Sequence, residues 1–181
     1  MARKGISMAR RFVLSTVGTS LFTNVLAPAE RQEWVGKLNS QSNETAFPPV
    51  VAAKVDELSQ RVRTRLREGD VPERRRLSAE LNGLYGLYGE KLSADGDVHY
   101  LIATDTALGK TAADVVRDFL RQQGLNITVH VPERLNTAST THFSHGMKAL
   151  LKWCEDTIPG FRTSGYEVIF NLTGGFKSLQ L

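Results

Sequence analysis

The stretch that decides the fold of this chain is Tyr166-Glu167-Val168-Ile169-Phe170-Asn171-Leu172-Thr173-Gly174-Gly175-Phe176-Lys177-Ser178. Its apolar part is short and rich in β-branched and aromatic residues, which predicts a parallel strand covered on both faces. Gly174-Gly175 follows directly, and the absence of two Cβ atoms lets backbone N–H groups approach a ligand closely. Because Lys177 stands next to this turn, the stretch predicts a cradle for phosphate.

Strands and helices alternate along the rest of the chain. The hydrophobic patterns predict strands at 12–17, 98–103 and 127–131, and helices at 29–38, 50–67, 72–88, 111–123 and 140–157. This alternation predicts an α/β fold, a Rossmann-like parallel sheet with right-handed crossovers and helices on both faces. We expect Pro159-Gly160 to end the last helix, whose inward residues are Phe143, Met147, Leu150, Leu151 and Cys154.

The domain organisation follows from the N-terminal sequence. Met8-Ala9-Arg10-Arg11 nearly repeats Met1-Ala2-Arg3-Lys4, so we expect residues 1–10 to be a flexible leader and 11–181 to be the folded domain.

Four polar loops follow the predicted strands. In a parallel sheet the carboxyl ends of the strands share one edge, so these loops should line one rim. The rim is rich in N–H, hydroxyl and cationic groups and poor in carboxylates, which suits a phosphorylated ligand. The loops are Gly18-Thr19-Ser20, Thr104-Asp105-Thr106, Arg134-Leu135-Asn136-Thr137 and Thr173-Gly174-Gly175-Phe176-Lys177.

Composition excludes several classes of protein. The chain has 181 residues, of which 41% are hydrophobic and 23% charged, as in ordinary globular domains. A net charge of +4 permits an anionic ligand but does not indicate duplex nucleic-acid binding. A single cysteine, Cys154, excludes an internal disulfide and favours the cytoplasm. The basic N-terminus imitates a secretory signal, but polar residues interrupt its core, and we expect no membrane segment.

Four familiar patterns do not support the function that each first suggests. Gly109-Lys110-Thr111 resembles the end of a P-loop, but Thr104 occupies the position of the leading glycine. No Gly-x-Gly-x-x-Gly follows the first strand, and the arginines between 61 and 76 predict a solvated helix face. The histidines at 99, 130, 142 and 145 lack a paired carboxylate, so we expect no metal site and no cofactor.

Two motifs together carry a family resemblance. The segments Ser15-Thr16-Val17-Gly18-Thr19-Ser20-Leu21-Phe22-Thr23-Asn24 and Asn171-Leu172-Thr173-Gly174-Gly175-Phe176-Lys177-Ser178 resemble the opening and closing motifs of CRISPR-associated Rossmann-fold (CARF) domains. The middle segment, His99 to Thr106, resembles a strand that these domains carry between them. The resemblance spans about 11–181, and only the two end motifs are specific.

The resemblance implies a sensor of cyclic oligoadenylate, the messenger of type III CRISPR antiviral defence, with cyclic tetra-adenylate as the expected ring. It also implies a homodimer whose two-fold axis matches that of the ring. One part of the ring would meet Gly18, Thr19 and Ser20, and another Gly174, Gly175, Phe176 and Lys177. The adenine pockets would draw on Asp105, Thr106, Asn136 and Thr137.

Some CARF proteins also cleave their messenger slowly and without metal, which leaves a 2′,3′-cyclic phosphate. Here Lys177 would stabilise charge on the phosphoryl oxygens and Ser20 would orient the ring. A helix N-cap or turn role is the alternative for Ser20.

Family members continue past the lysine through a helix and a further strand, whereas this sequence ends at Leu181. We therefore expect a CARF-like domain truncated after the glycine-lysine motif. Three alternatives stay open. They are a non-catalytic regulatory module that controls a CRISPR effector in trans, a remnant of a larger effector such as a HEPN ribonuclease, and an α/β binder of another phosphorylated metabolite.

Overall fold

The computed structural model of the chain describes residues 9–92 and 95–175. Within these ranges the strands are β1 (Arg11–Thr16), β2 (Val98–Ile102), β3 (Asn126–His130) and β4 (Glu167–Asn171). The helices are α1 (Ser20–Asn24), α2 (Pro28–Ser40), α3 (Pro49–Glu68), α4 (Val71–Leu77), α5 (Ala79–Tyr88), α6 (Ala107–Gln122) and α7 (Thr140–Thr163). The predicted leader falls mostly outside the described residues and stays a prediction.

The four strands form one parallel sheet in the order β3-β2-β1-β4. Phe12 of β1 lies opposite Val98 of β2 and Val168 of β4, and the pairing continues in register to the carboxyl ends. Each connection between successive strands contains at least one helix, as parallel strands require. The predicted α/β Rossmann-like fold, with its parallel sheet and helices on both faces, is confirmed.

Helices α1 to α6 cover one face of the sheet. Val13, Leu101 and Ile127 point to this face, and α3 and α6 pack against each other above it. Helix α3 buries the stripe Val51, Val55, Leu58, Val62 and Leu66, which follows the three-and-four spacing predicted from sequence. This larger core anchors the loops at both ends of β1 and β2.

Helix α7 covers the opposite face and is longer than predicted. Pro159 lies inside the helix, which continues to Thr163, so the expected end at Pro159-Gly160 is wrong. Proline removes one backbone donor, but the following turn is held because the Phe161 ring packs 4.4 Å from the Phe12 ring. The helix ends instead at Thr163, just before Gly165, whose φ of 83° is left-handed, and Tyr166 N–H donates to the Phe161 carbonyl.

The helix predicted over 72–88 is two helices in the structure, α4 and α5. Ser78 has extended backbone angles, and its hydroxyl accepts a hydrogen bond from the Leu81 N–H, so it caps a new helix. The break turns α5 so that its first residues lie at the carboxyl ends of β1 and β4. The single-helix prediction was therefore wrong at the point that matters most for the site.

Two burial predictions on the α7 face were also wrong. Leu151, expected inward, is 56% exposed, and Phe170 of β4, expected to be covered, is 49% exposed. Helix α7 runs antiparallel to the strands, and its last turns reach the beginning of β4 through Phe161 and Tyr166. The carboxyl end of β4 is therefore left uncovered on this face by the described residues.

Among the described residues, no helix has the length and apolarity needed to cross a membrane.

Candidate functional site

The candidate site lies where the strand order reverses. From β1 the chain moves outward to β2 and β3, and then returns to place β4 on the other side of β1. The loops after β1 and β4 therefore lie at a topological switch point, where open α/β sheets bind their ligands. These two loops are the ones that carry the opening and closing motifs.

The two glycine loops contact each other at this point. A Cβ atom built on Gly18 would lie 2.8 Å from the Gly175 backbone nitrogen, and one built on Gly175 would lie 2.7 Å from the Val17 carbonyl oxygen. The buried Thr16 hydroxyl donates a hydrogen bond to the Gly174 carbonyl. In the structure, these glycines allow the two loops to approach each other closely. The predicted close approach of a ligand to the same backbone stays a prediction.

Thr19 and Ser20 form the exposed rim of the β1 loop. Thr19 occupies the N-cap position of α1, but its side chain accepts no capping hydrogen bond. Ser20 is the first helical residue and is exposed, so the N-cap alternative for its hydroxyl is wrong. Neither hydroxyl is committed to another described residue, which leaves both available to a ligand.

Phe176 and Lys177, predicted as ligand-binding residues and Lys177 also as catalytic, lie outside the described residues. Their roles stay predictions. Gly175, the last described residue, has a φ of 60°, a left-handed conformation that favours glycine.

A buried network of hydrogen bonds holds the β4 loop against β1 and the first turn of α5. The Asn171 side-chain amide donates to the Ser15 hydroxyl at 3.2 Å and to the Glu80 carbonyl at 3.0 Å. The Thr173 hydroxyl lies 2.9 Å from the Ala79 carbonyl and 2.6 Å from the Asn171 side-chain oxygen. The start of α5 is therefore bonded directly to the end of β4.

Helix α5 comes this close because of a glycine. A Cβ atom on Gly83 would collide with the side-chain amide of Asn171. The glycine lowers helix propensity, yet it removes the side chain where the helix meets the buried amide. Tertiary packing therefore explains why a glycine stands in this helix.

Glu80, in the first turn of α5, lies behind both glycine loops. It is fully buried, and neither side-chain oxygen has a hydrogen-bond partner of good geometry among the described residues. A Cβ atom on Gly174 would collide with the Glu80 carboxyl and with the Thr16 carbonyl. Burial raises the pKa of Glu80 to about 7, and only part of that rise is offset by the nearby Ser78 hydroxyl and backbone N–H groups of Glu80 and Gly18.

The β2 loop reaches the same edge of the sheet but is bonded within the chain. Asp105 pairs with Lys110 at 2.7 Å and accepts the Arg134 N–H at 3.0 Å. The Lys110 hydrogen bond, followed by that of the Arg134 N–H, lowers the pKa of Asp105. Thr106 is buried, and its hydroxyl caps α6 by accepting the Gly109 N–H at 3.1 Å.

The β3 loop is bonded in a similar way. The buried side chain of Asn136 accepts the Ala138 N–H at 3.0 Å, and the exposed Thr137 donates from both its N–H and its hydroxyl to the Asn43 side-chain oxygen. Asp105, Thr106, Asn136 and Thr137 thus have structural bonds in addition to the predicted role at adenine pockets, which stays a prediction.

Two of the four histidines belong to the sheet, and His142 and His145 are exposed in the first turns of α7. His99 lies in β2 and is buried, and His130 stacks on Trp153 with ring centroids 4.3 Å apart. Within the described ranges, no group of three metal-ligating side chains comes together.

The relationship to known proteins rests on the larger, C-terminal part of the chain. The sequence model of a CRISPR-associated protein family, Cas_APE2256, matches residues 75–181, more than half of the chain. The chain belongs to this CRISPR-associated family. A comparison with curated proteins finds no match.

The part that defines the family contains most of the candidate site. It begins before α5 and includes Glu80, Gly83, Asn171 and the β4 glycine loop, whereas the Gly18 loop precedes it. Of these, sequence reasoning missed the roles of Glu80 and Gly83. Ser78 followed by an acidic residue is a helix-start pattern that could have revealed the break and placed Glu80 in a first turn.

Proposed function

We propose that this CRISPR-associated chain is a sensor that binds cyclic oligoadenylate at the carboxyl edge of its sheet. One observation carries the proposal, namely the contact between the Gly18 loop and the Gly174-Gly175 loop at the switch point between β1 and β4. Two motifs separated by more than 150 residues in sequence would not need to meet if each served only its own turn. Membership of the family supplies the CRISPR context.

The proposed binding unit is a homodimer that holds one ring. A ring built from identical nucleotides has rotational symmetry, so a two-fold dimer can present the same loops to each half. Each subunit would contribute the exposed Thr19 and Ser20 hydroxyls and the Lys177 ammonium to the phosphates. The backbone of the β1 and β4 loops would supply N–H donors beside them.

Calorimetry with cyclic tri-, tetra- and hexa-adenylate tests this proposal. We expect one ring to bind per two chains, with cyclic tetra-adenylate preferred. Lys177→Ala should weaken binding about 10- to 100-fold, because a charge-assisted phosphate contact is lost. Lys152→Ala is the matched control, since Lys152 is an exposed lysine of α7 paired with Asp156 and should leave affinity unchanged. No binding of any ring would overturn the proposal.

The uncommitted Ser20 hydroxyl favours a second, slower activity, metal-independent cleavage of the bound ring. A ribose 2′-hydroxyl would attack the adjacent phosphate, the bond to the 5′-oxygen would break, and a 2′,3′-cyclic phosphate would form. Ser20 would orient the ring, and Lys177 would stabilise the phosphoryl oxygens. Incubation of labelled cyclic tetra-adenylate with the protein and a chelator should yield linear product. The Ser20→Ala variant should slow that reaction while still binding the ring.

The competing proposal is a regulatory module that binds the ring without cleaving it and controls an effector in trans. Binding with no product after prolonged incubation would select this role, since it removes only the cleavage step. Both versions use the same site.

A further inference from the structure

The Glu80 carboxyl is the least expected group behind the candidate site, because its two oxygens are buried without a hydrogen bond of good geometry to any described residue. We propose that Glu80 is a positioning residue of this site and that its carboxyl takes up a proton when a phosphate-bearing ligand binds at the β1 and β4 loops. The inference rests on the proposed function, and it adds a link between binding and pH.

The geometry places the carboxyl where it can influence both loops. A Cβ atom built on Gly174 would collide with a Glu80 carboxyl oxygen and with the Thr16 carbonyl oxygen, so both oxygens lie beside the Gly174 turn. A neutral carboxyl can donate its proton in a hydrogen bond to a carbonyl oxygen, whereas a carboxylate can only accept. Protonated Glu80 is therefore suited to holding the end of β1 and the Gly174 turn together.

The surroundings provide no counter-charge among the described residues. Helix α5 itself offers the Ser78 hydroxyl, the end of β1 offers the Thr16 carbonyl and the Gly18 N–H, and the β4 side offers the Asn171 amide and the Gly174 backbone. None of these groups is charged, and Lys177 lies outside the described residues. Burial without a paired cation is what raises the pKa of Glu80 to about 7.

An anion bound at the two loops would act on this carboxyl through a short path of low dielectric. Its negative charge favours the neutral form of Glu80 and raises the pKa further in the complex. The free protein therefore loses the Glu80 proton at lower pH than the complex does. By linkage, binding consumes up to one proton from solvent, and affinity falls as pH rises past about 7.

The closing experiment titrates cyclic tetra-adenylate into the full chain at about pH 6 and about pH 8.5, in two buffers of different protonation enthalpy. For the wild type we expect affinity to fall on the order of fivefold, with proton uptake near neutral pH. Glu80→Gln cannot titrate and should reduce the change to less than about twofold. Glu133→Gln removes an exposed carboxylate from the β3 loop at the same edge and should keep the wild-type pH profile.

Each outcome decides between the two proposals. Equal wild-type affinity at both pH values without proton uptake overturns this inference and leaves the sensor standing. Absence of binding at every pH overturns the proposed function, and the proton-linked inference with it. If Glu80→Gln does not fold, proton uptake by the wild type in the two buffers still gives the answer. A pH profile that persists in Glu80→Gln assigns the proton to another group and also overturns the inference.

Discussion

A buried carboxyl lies at each end of helix α5, and the two carboxyls differ in their hydrogen bonds. At the last turn the Tyr88 hydroxyl lies 2.7 Å from one oxygen of the buried Asp97, whose other oxygen accepts the Arg11 N–H at 2.7 Å. Tyr88 also lies 3.0 Å from the Nε2 atom of His99. At the first turn, the Glu80 carboxyl has only nearby N–H and hydroxyl groups, none of which makes a hydrogen bond of good geometry to it among the described residues.

This difference separates a structural cluster from a functional candidate. The Asp97 cluster joins β1, β2 and α5 at the amino edge of the sheet, and both carboxylate oxygens are satisfied, as expected for buried polar groups that stabilise a fold. An unsatisfied buried carboxyl is costly and needs another explanation. Its position behind the glycine loops, at the edge where α/β sheets bind ligands, agrees with the proposed role of Glu80 at the ligand site.

Burial favours the neutral form of the ionisable group at each end of α5. It raises the pKa of Glu80 to about 7 and lowers the pKa of His99 to about 4, because each group is held in its neutral form. Glu80 is an acid and His99 is a base. Their contributions to the free energy of unfolding therefore change with pH in opposite directions.

The largest expected effect tests how closely α5 is packed at the carboxyl edge. Gly83→Ala should destabilise the fold by about 3–4 kcal/mol, because the new methyl group meets the Asn171 amide and disrupts its hydrogen bonds. Urea unfolding followed by circular dichroism measures the change.

Gly86, three residues further along α5, provides the matched control. A Cβ atom there meets nothing within 4 Å, so Gly86→Ala should stabilise the protein by up to about 1 kcal/mol through helix propensity. Equal effects at the two glycines would mean that α5 does not approach β4 as described.

The next effect concerns the free energy of unfolding between about pH 5 and about pH 8. The raised pKa of Glu80 means that stability from this group is present below its unfolded value of 4.5 and is lost as pH rises through 7. The free energy of unfolding of the wild type, relative to that of Glu80→Gln, should therefore fall by about 2 kcal/mol over this range.

His99 should give the opposite slope. Its lowered pKa means that stability is full above the unfolded value of 6.5 and is lost as pH falls through 4. The free energy of unfolding of the wild type, relative to that of His99→Gln, should rise by about 2 kcal/mol from about pH 5 to about pH 8. Slopes of the same sign for the two variants would contradict the comparison between the ends of α5.

The smallest effect isolates the satisfied cluster. Tyr88→Phe removes one donor to Asp97 and the contact with His99, which should cost about 1 kcal/mol of stability. Tyr166→Phe is the control, because the described contacts of Tyr166 are made by its ring. Neither variant should alter affinity for cyclic tetra-adenylate, and a loss of binding in Tyr88→Phe would show that the amino edge also supports the site.

Much of the site could be predicted from local sequence. The two strands followed by Gly18 and by Gly174-Gly175 are readily predicted from sequence, because β-branched runs and glycine turns depend on neighbours in the chain. Pro159 inside α7 could not be foreseen, because its cost is offset by the packing of Phe161 against Phe12, a contact between residues far apart in sequence. The same limit applies to Glu80, whose acidity depends on which groups surround it.

The sequence by itself determined the parallel α/β fold and the two glycine motifs, since hydrophobic periodicity and turn residues act locally. Only the tertiary structure decided that these motifs contact each other at the switch point, that α5 begins after Ser78 and runs from one edge of the sheet to the other, and that the carboxyl oxygens of Glu80 are buried with no hydrogen bond of good geometry among the described residues. Burial and hydrogen bonding are properties of packed neighbours, and the order of strands in the sheet brings those neighbours together.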